Sequence, residues 1–269
     1  MGTRETHNFK KSLGQHFLRD HKTILEISNL VRPENEDLIL EIGAGDGALT
    51  EPFSQSGARI IAVEIDKKLA NALTLRFDKT DSVNIINQDI LHFDFLELGK
   101  TKKKWKIVGN LPYNISTQLI LKILNHANLF SLMTVMVQKE VGDRLIAKPG
   151  SKAYGRLSVM AQRSASLTHC LDIAPENFFP IPKVWSSIIQ IRPSVPLDDG
   201  NFESSFRNTV RTAFSHRRKT LANSLKNLLT PQEIRAAGID PLIRAERLAV
   251  GDFEALAKVL ENKKMETNS

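Results

Sequence analysis

The chain has 269 residues, of which 41% are hydrophobic, and a formal net charge of +7. This length suffices for one large domain and a smaller one. No apolar run approaches the roughly 18 residues of a membrane span, and the polar N-terminus lacks the apolar segment of a signal peptide. A single cysteine excludes an internal disulfide and is typical of a reducing, cytoplasmic setting. The positive charge is a weak indication of a polyanionic partner such as nucleic acid.

The N-terminal segment, residues 1–20, is basic and contains Gln15-His16-Phe17-Leu18. No second ligand stands at metal-binding spacing from this histidine, so no metal site is predicted. Residues 21–31 place their apolar side chains on one face of a predicted helix.

A glycine-rich loop follows the first predicted buried strand, residues 38–42, and precedes a helix. Loops of this kind bind dinucleotides or S-adenosylmethionine (AdoMet), because glycines allow close approach and a helix N-terminus offers free N–H groups. The glycines Gly43, Gly45 and Gly47 depart from the Gly-x-Gly-x-x-Gly dinucleotide fingerprint, which counts modestly against NAD. Glu64 closes the next strand about 20 residues later, where a carboxylate can accept hydrogen bonds from both ribose hydroxyls.

Two further predicted strands also end in polar residues. Asp89 follows residues 83–86 and can accept a hydrogen bond from an adenine amino group. Asn110 follows residues 107–109 and begins the motif Asn110-Leu111-Pro112-Tyr113. The Asn oxygen and the carbonyl of Leu111 or Pro112 can accept from an exocyclic amine, and the Tyr ring can stack on its base. This chemistry suits methyl transfer to adenine N6; the alternative is a turn with a capping Asn and a surface Tyr.

The loop at residues 177–184 lies between the last two predicted strands, residues 167–173 and 187–191. Its two prolines and two phenylalanines predict a rigid platform on which Phe179 stacks a base, with Lys183 near phosphate. For Phe178, a loop anchored by a buried ring is an equally good interpretation.

Residues 193–200 follow neither the periodicity of a helix nor that of a strand, which predicts a linker. We therefore expect one domain at residues 1–195 and a helical domain at 196–269, with a disordered tail from Lys263. Between residues 202 and 229 the only acid is Glu203, and this bias predicts contact with phosphates. Arg207, Arg211 and Arg218 would share one face if the helix were continuous.

The chain as a whole resembles the small-subunit (16S) rRNA adenine N6,N6-dimethyltransferases of bacteria. The resemblance covers nearly the whole length and rests on residues 15–18, 41–47, 64, 88–89, 109–116, 138–140, 154–156, 179–184 and 216–219. It implies an α/β, Rossmann-like, seven-stranded AdoMet-dependent methyltransferase fold with a small all-helical C-terminal domain. The family often has Asn at the position of His16.

The resemblance also implies roles for individual residues. The cofactor AdoMet would contact His16, Leu18, Gly43, Gly45, Glu64, Asp89 and Asn110. The catalytic group would comprise Asn110, Leu111, Pro112, Tyr113 and Phe179, with the two aromatic rings stacking on the target base. From the composition of the 177–184 loop and the basic bias of the helical domain, not from the resemblance, we predict that RNA contacts Lys183, Arg207, Arg211, Arg217, Arg218 and Lys219.

The activity implied by the resemblance is dimethylation of two adjacent adenines near the 3′ end of 16S rRNA, in the small ribosomal subunit or its precursor. A large-subunit rRNA methyltransferase that confers drug resistance is a close alternative. A non-catalytic ribosome-assembly or transcription factor on the same fold is another, and an NAD-linked oxidoreductase is the weakest. We expect a monomer, because nothing in the sequence demands a partner subunit.

Overall fold

The computed structural model describes residues 15–194 and 200–267. Most of the predicted linker, and the predicted boundary between residues 195 and 196, lie outside the described residues. The chain forms two compact units, which combine segments that are distant in sequence. The first comprises Met1–Gly142 and Leu167–Pro193, and the second comprises Asp143–Ser166 and Ser194–Ser269. The second unit thus includes Asp143–Ser166, a segment that the predicted division at residues 195 and 196 assigns to the first domain.

A seven-stranded sheet forms the centre of the first unit. The described residues form the strands β1 (Phe17–Leu18), β2 (Leu38–Ile42), β3 (Arg59–Glu64), β4 (Val83–Asn87), β5 (Trp105–Asn110), β6 (Phe130–Gln138), β7 (Ala165–Ile173), β8 (Phe178–Phe179) and β9 (Ser186–Pro193), of which all but β1 and β8 belong to this sheet. The sheet order is β4-β3-β2-β5-β6-β9-β7. Strands β4, β3, β2, β5 and β6 are mutually parallel, whereas β9 runs antiparallel to β6. The predicted seven-stranded α/β fold is therefore confirmed.

Along the chain, helices alternate with the strands of the sheet, and they make up most of the second unit. They are α1 (His21–Val31), α2 (Thr50–Ser54), α3 (Lys67–Arg76), α4 (Ser116–Leu124), α5 (Lys139–Leu145), α6 (Arg156–Ser164), α7 (Gly200–Ala213), α8 (Leu221–Ser224), α9 (Pro231–Ala236) and α10 (Val250–Thr267). Asp20 caps α1 by accepting a 2.8 Å hydrogen bond from the Thr23 amide. Within the described ranges, no helix is both long and apolar enough to cross a membrane.

The central strand β2 is buried along its entire length, as expected of a parallel strand covered on both faces. Its neighbours pair in a register that places Ile42 beside Val63 on β3 and Gly109 on β5. Any side chain at position 109 would clash with the Ile42 carbonyl, 2.4 Å from the position of an added Cβ. The carboxyl ends of β2, β3 and β5 therefore meet at one edge of the sheet.

Strands β1 and β8 form a separate two-stranded antiparallel ribbon. Phe17 pairs with Phe179 and Leu18 pairs with Phe178. The Arg19 amide extends the ribbon by donating a 2.8 Å hydrogen bond to the Asn177 carbonyl. The ribbon brings the N-terminal segment onto the loop at residues 177–184, although the two are far apart in sequence.

The helical unit corrects two expectations from the sequence. Helix α7 ends at Ala213, so Arg218 does not share a helix face with Arg207 and Arg211. Helix α10 continues to Thr267, so residues 263–267, which the sequence places in a disordered tail, are helical in the described part of the chain. The Lys263 ammonium stabilises this end of the helix with a 3.0 Å ion pair to Glu233.

Candidate active site

The sheet edge formed by these strand ends opens into a cavity of about 210 Å³ in the first unit. The predicted residues that line it are His16, Leu18, Gly43, Gly45, Glu64, Asp89, Asn110, Leu111, Pro112 and Tyr113. These are all the residues predicted to bind the cofactor and four of the five predicted to be catalytic. Phe179 is not among the lining residues, and its side chain is 53% exposed on β8. The individual roles stay predictions, but the structure brings these residues to one place.

The glycine loop needs glycine at each of its three glycine positions. Gly43, Gly45 and Gly47 have φ angles of +71°, +61° and +85°, in the left-handed region that disfavours larger residues. A Cβ atom on Gly45 would also lie 3.0 Å from the ring of Phe17. The loop therefore presents bare backbone to the cavity, with β1 packed against it.

Glu64 is a buried carboxylate whose two oxygens are both oriented by backbone amides. Oε2 accepts a 2.9 Å hydrogen bond from Gly45, and Oε1 accepts a 2.8 Å bond from Asp66. Burial raises the pKa of the Glu64 carboxyl, against the lowering effect of these backbone bonds. Each oxygen keeps a further lone pair, so the carboxylate can receive two neighbouring hydroxyl groups.

Asp89 lines the same cavity and also caps the short helical turn that follows β4. Its Oδ1 atom accepts a 2.9 Å hydrogen bond from the Leu91 amide. Its Oδ2 atom lies 3.4 Å from the His92 imidazole. Asp89 therefore caps this turn, and the same carboxylate also lines the cavity, where it can face a ligand.

Asn110 is oriented by the N-terminal segment. Its amide nitrogen Nδ2 donates a 2.7 Å hydrogen bond to the His16 carbonyl, which leaves Oδ1 as an acceptor. The Pro112 carbonyl already accepts from the Ile115 and Ser116 amides, at 3.1 and 3.0 Å. Among the described residues no hydrogen bond occupies the Leu111 carbonyl. Of the two backbone acceptors that the sequence left open, the Leu111 carbonyl is the one available to an amine.

Tyr113 and His16 stack on each other in the cavity wall. Their ring centroids lie 5.5 Å apart with an interplanar angle of 25°. His16 Nδ1 donates a 2.7 Å hydrogen bond to the Pro180 carbonyl, and the Tyr113 hydroxyl lies 2.8 Å from Ser186 Oγ. The His16 imidazole thus contacts the protein's own aromatic ring and loop.

Glu41 is a cavity residue whose role the sequence did not assign. Its side chain is buried on β2 and accepts a 2.6 Å hydrogen bond from the Thr50 hydroxyl. Burial, reinforced by the negative charges of Glu64 and Asp46, raises the pKa of Glu41 to about 8. The signal in the sequence was an acid within an otherwise apolar strand, which normally calls for a specific partner.

Glu41 should make the stability of the protein depend on pH. The folded state keeps the Glu41 proton up to about pH 8, whereas the unfolded chain releases it near the ordinary pKa of 4.5. The folded state therefore binds more protons between these pH values, and the free energy of unfolding falls as pH rises through them. Between pH 5 and pH 8, the free energy of unfolding of the wild type should fall by about 2–4 kcal/mol more than that of Glu41→Gln. Urea unfolding at a series of pH values measures both. Parallel pH profiles for the two proteins would contradict this.

The residues predicted to contact RNA lie outside the cavity. Lys183 is exposed in the first unit, and Arg217, Arg218 and Lys219 are exposed in the turn after α7. Arg207 and Arg211 line a surface groove of the second unit together with Arg156 and Lys264. Glu203 is the one acidic residue among those that line this groove.

The cavity suits AdoMet, a sulfonium nucleoside with a ribose and an amino acid end. The glycine loop presents bare backbone, and Glu64, the residue predicted to hold the ribose hydroxyls, is a carboxylate fixed by backbone amides. Within residues 15–194 and 200–267, no cluster of three His, Cys, Asp or Glu side chains could hold a metal ion.

Comparison with known proteins gives a consistent result. The model of the ribosomal RNA adenine dimethylase family matches residues 6–262. A relative from Hahella chejuensis, named ribosomal RNA small subunit methyltransferase A, is 41% identical over 265 residues, covering 98% of this chain and 97% of the relative. A relative of the same name from Pseudomonas savastanoi is 43% identical over 258 residues, covering 96% of each protein.

Solved structures support the same fold. A dimethyladenosine transferase from Plasmodium falciparum superposes with a TM-score of 0.79 at 24% identity, covering 93% of this chain and 98% of that one. The 23S rRNA methyltransferase ErmE superposes with a TM-score of 0.70 at 25% identity, covering 91% and 99%. The match of the family model over nearly the whole chain shows that this AdoMet-dependent methyltransferase belongs to the ribosomal RNA adenine dimethylase family.

Proposed function

We propose that the protein transfers methyl groups from AdoMet to N6 of two adjacent adenines near the 3′ end of 16S rRNA, within the small ribosomal subunit or its precursor. The observation that carries the proposal is the orientation of Asn110. Its amide nitrogen Nδ2 donates a 2.7 Å hydrogen bond to the His16 carbonyl. This bond fixes the side chain and leaves the oxygen Oδ1 as the acceptor for the target amine. That oxygen and the Leu111 carbonyl are two acceptors beside the cavity that Glu64 also lines.

The cofactor-binding residues act by holding and orienting. AdoMet, when bound, supplies a methyl group that its sulfonium already activates. Glu64 would hold the ribose hydroxyls, Asp89 would accept from the adenine amino group, and the bare backbone at Gly43 would lie against the methionine end. The protein's main task is then to align a neutral nitrogen with the methyl group, which is catalysis by positioning.

The target amine is held by two acceptors. Asn110 Oδ1 and the Leu111 carbonyl would each accept one N–H of the adenine N6 amine and so fix the direction of its lone pair. The motif Asn110-Leu111-Pro112-Tyr113 contains no strong base, and none is required, because the nitrogen loses its proton only after it has gained a methyl group. Tyr113, together with Phe179, which pairs with the cavity residue Phe17 across the ribbon, would stack on the extruded base.

The second transfer to the same nitrogen makes a different demand. A monomethylated N6 has one N–H fewer, so only one of the two acceptors can be engaged. Stacking on Tyr113 must then supply more of the orientation. This difference gives a measurable signature, the ratio of monomethyl to dimethyl product.

The basic residues outside the cavity would bind the RNA backbone. Lys183, the α7 residues Arg207 and Arg211, and the exposed turn at residues 217–219 present cations suited to phosphates. The relatives named small subunit methyltransferase A favour small-subunit RNA as the substrate. We place the enzyme in the cytoplasm as a monomer.

Mass spectrometry of nucleosides tests this proposal. The protein is incubated with AdoMet and with small or large ribosomal subunits that lack the modification, and the RNA is digested and analysed. We expect N6,N6-dimethyladenosine only from the small subunits, mapped to two adjacent positions near the 3′ end. Product from large subunits alone would establish the alternative substrate that the likeness to ErmE suggests. Binding to small subunits without any product would indicate a non-catalytic factor.

A further inference from the structure

Tyr113 is held at two points in the first unit. Its hydroxyl lies 2.8 Å from Ser186 Oγ, and its ring stacks on His16 at 5.5 Å. Ser186 has no exposed surface, so water does not compete for this hydrogen bond. Burial raises the pKa of the Tyr113 phenol, which therefore keeps its proton and can donate to the serine oxygen.

The residue that holds the tyrosine hydroxyl is itself fixed. Ser186 is the first residue of β9 and pairs with Gln138 at the end of β6. On one side of it, the Trp185 carbonyl accepts a 2.9 Å hydrogen bond from the Lys139 amide. On the other side, the Ser187 hydroxyl donates a 2.5 Å hydrogen bond to Asp172 on β7. Ser186 is thus a rigid anchor rather than a side chain that follows the tyrosine.

His16 connects the tyrosine to the acceptor asparagine. Its ring is pinned by the 2.7 Å bond from Nδ1 to the Pro180 carbonyl, and its own carbonyl accepts from Asn110 Nδ2 at 2.7 Å. One residue therefore touches both groups that would hold the target adenine. An asparagine at this position could supply the same backbone carbonyl, but it has no ring to stack on Tyr113.

We propose that Ser186 and His16 are positioning residues that fix Tyr113 as the stacking platform for the target adenine, and that they matter most for the second methyl transfer. The inference rests on the proposed function. In the first transfer, Asn110 and Leu111 can each accept one N–H of the amine. In the second transfer one of these bonds is lost, so the reaction depends more on a platform already set at the correct angle.

The test compares Ser186→Ala and Tyr113→Phe, singly and combined, on unmethylated small subunits. Each variant removes one partner of the same hydrogen bond. We expect each to slow the second transfer about fivefold, the factor of an ordinary neutral hydrogen bond, and to slow the first by less than about twofold. The double variant should be no slower than either single variant, because both remove one shared interaction. N6-monomethyladenosine should accumulate in all three.

Ser187→Ala is the matched control. It deletes a hydroxyl from the neighbouring residue, whose bond goes to Asp172 and not to Tyr113. We expect a lower melting temperature with an unchanged ratio of monomethyl to dimethyl product. For the second anchor, His16→Asn should accumulate monomethyl product, whereas His16→Phe, which retains a ring, should accumulate less.

Three outcomes separate this inference from the proposed function. If Tyr113→Ala loses activity but Ser186→Ala and Tyr113→Phe give the wild-type product ratio, the positioning role is overturned and the proposed function stands. If Ser186→Ala loses AdoMet binding by calorimetry, the residue is merely structural and the inference also fails. If the wild-type protein makes no dimethyladenosine on small subunits, the proposed function itself fails.

Discussion

Replacing Asn110 by alanine is expected to lower the rate of methyl transfer about 10²–10³-fold, with less than about tenfold loss of AdoMet affinity. The variant removes an oriented acceptor from the point where the amine must be held. It also frees the His16 carbonyl, which now accepts from Asn110 at 2.7 Å. The cofactor pocket retains Glu64 and the glycine loop, so binding should survive. Single-turnover transfer and calorimetry measure the two quantities separately.

Asn110→Asp is the matched comparison for this variant. An aspartate retains an acceptor oxygen but cannot donate to the His16 carbonyl, so its orientation is no longer fixed. We expect an activity between those of the wild type and Asn110→Ala. If the alanine variant keeps more than a tenth of the wild-type rate, the carboxamide does not hold the amine.

Replacing Arg163 by alanine is expected to destabilise the second unit by about 2–3 kcal/mol. The Arg163 side chain is 4% exposed and forms ion pairs with Glu203 and, at 3.1 Å, with Glu254. Its guanidinium also lies 4.3 Å from the centroid of the Phe206 ring. The variant removes the cation from Glu254, leaves Glu203 to pair with Arg207, and opens space beside the buried Phe206 ring.

Arg207→Ala provides the control for the Arg163 variant. Arg207 pairs with the same Glu203 at 2.5 Å, but its side chain is 43% exposed. An exposed pair contributes little, so a loss below about 1 kcal/mol is expected. Urea unfolding, followed by circular dichroism, compares the two variants. If the two variants lose the same free energy of unfolding, the burial of Arg163 adds nothing to the stability that its ion pairs provide.

The sequence was sufficient to locate the cavity, because one physical rule places its residues. Parallel strands present their carboxyl ends at the same edge, so polar residues after successive strands must meet there. Glu64, Asp89 and Asn110 could be grouped in this way, and all three line one cavity. The resemblance to the rRNA adenine dimethyltransferases likewise implied the α/β fold, which the sheet order confirms.

The contacts that orient these residues could not be predicted, because they join segments without local signals. The ribbon of β1 and β8 has only two residues in each strand, too few for any periodicity. The hydrogen bond from Tyr113 to Ser186 spans 73 residues. Helix α6 packs with α7 and α10 in the second unit, although it precedes two strands of the sheet. Long-range packing of this kind decides domain membership and is not encoded in composition.

The central claim is that the donor and the target adenine meet at the Asn110 carboxamide. A crystal structure with S-adenosylhomocysteine and adenosine tests it most directly. The account predicts the cofactor ribose hydroxyls on Glu64, with adenosine N6 within hydrogen-bond distance of Asn110 Oδ1 and the Leu111 carbonyl and its ring on Tyr113. Adenosine bound away from Asn110, or a cofactor ribose without contact to Glu64, would contradict it.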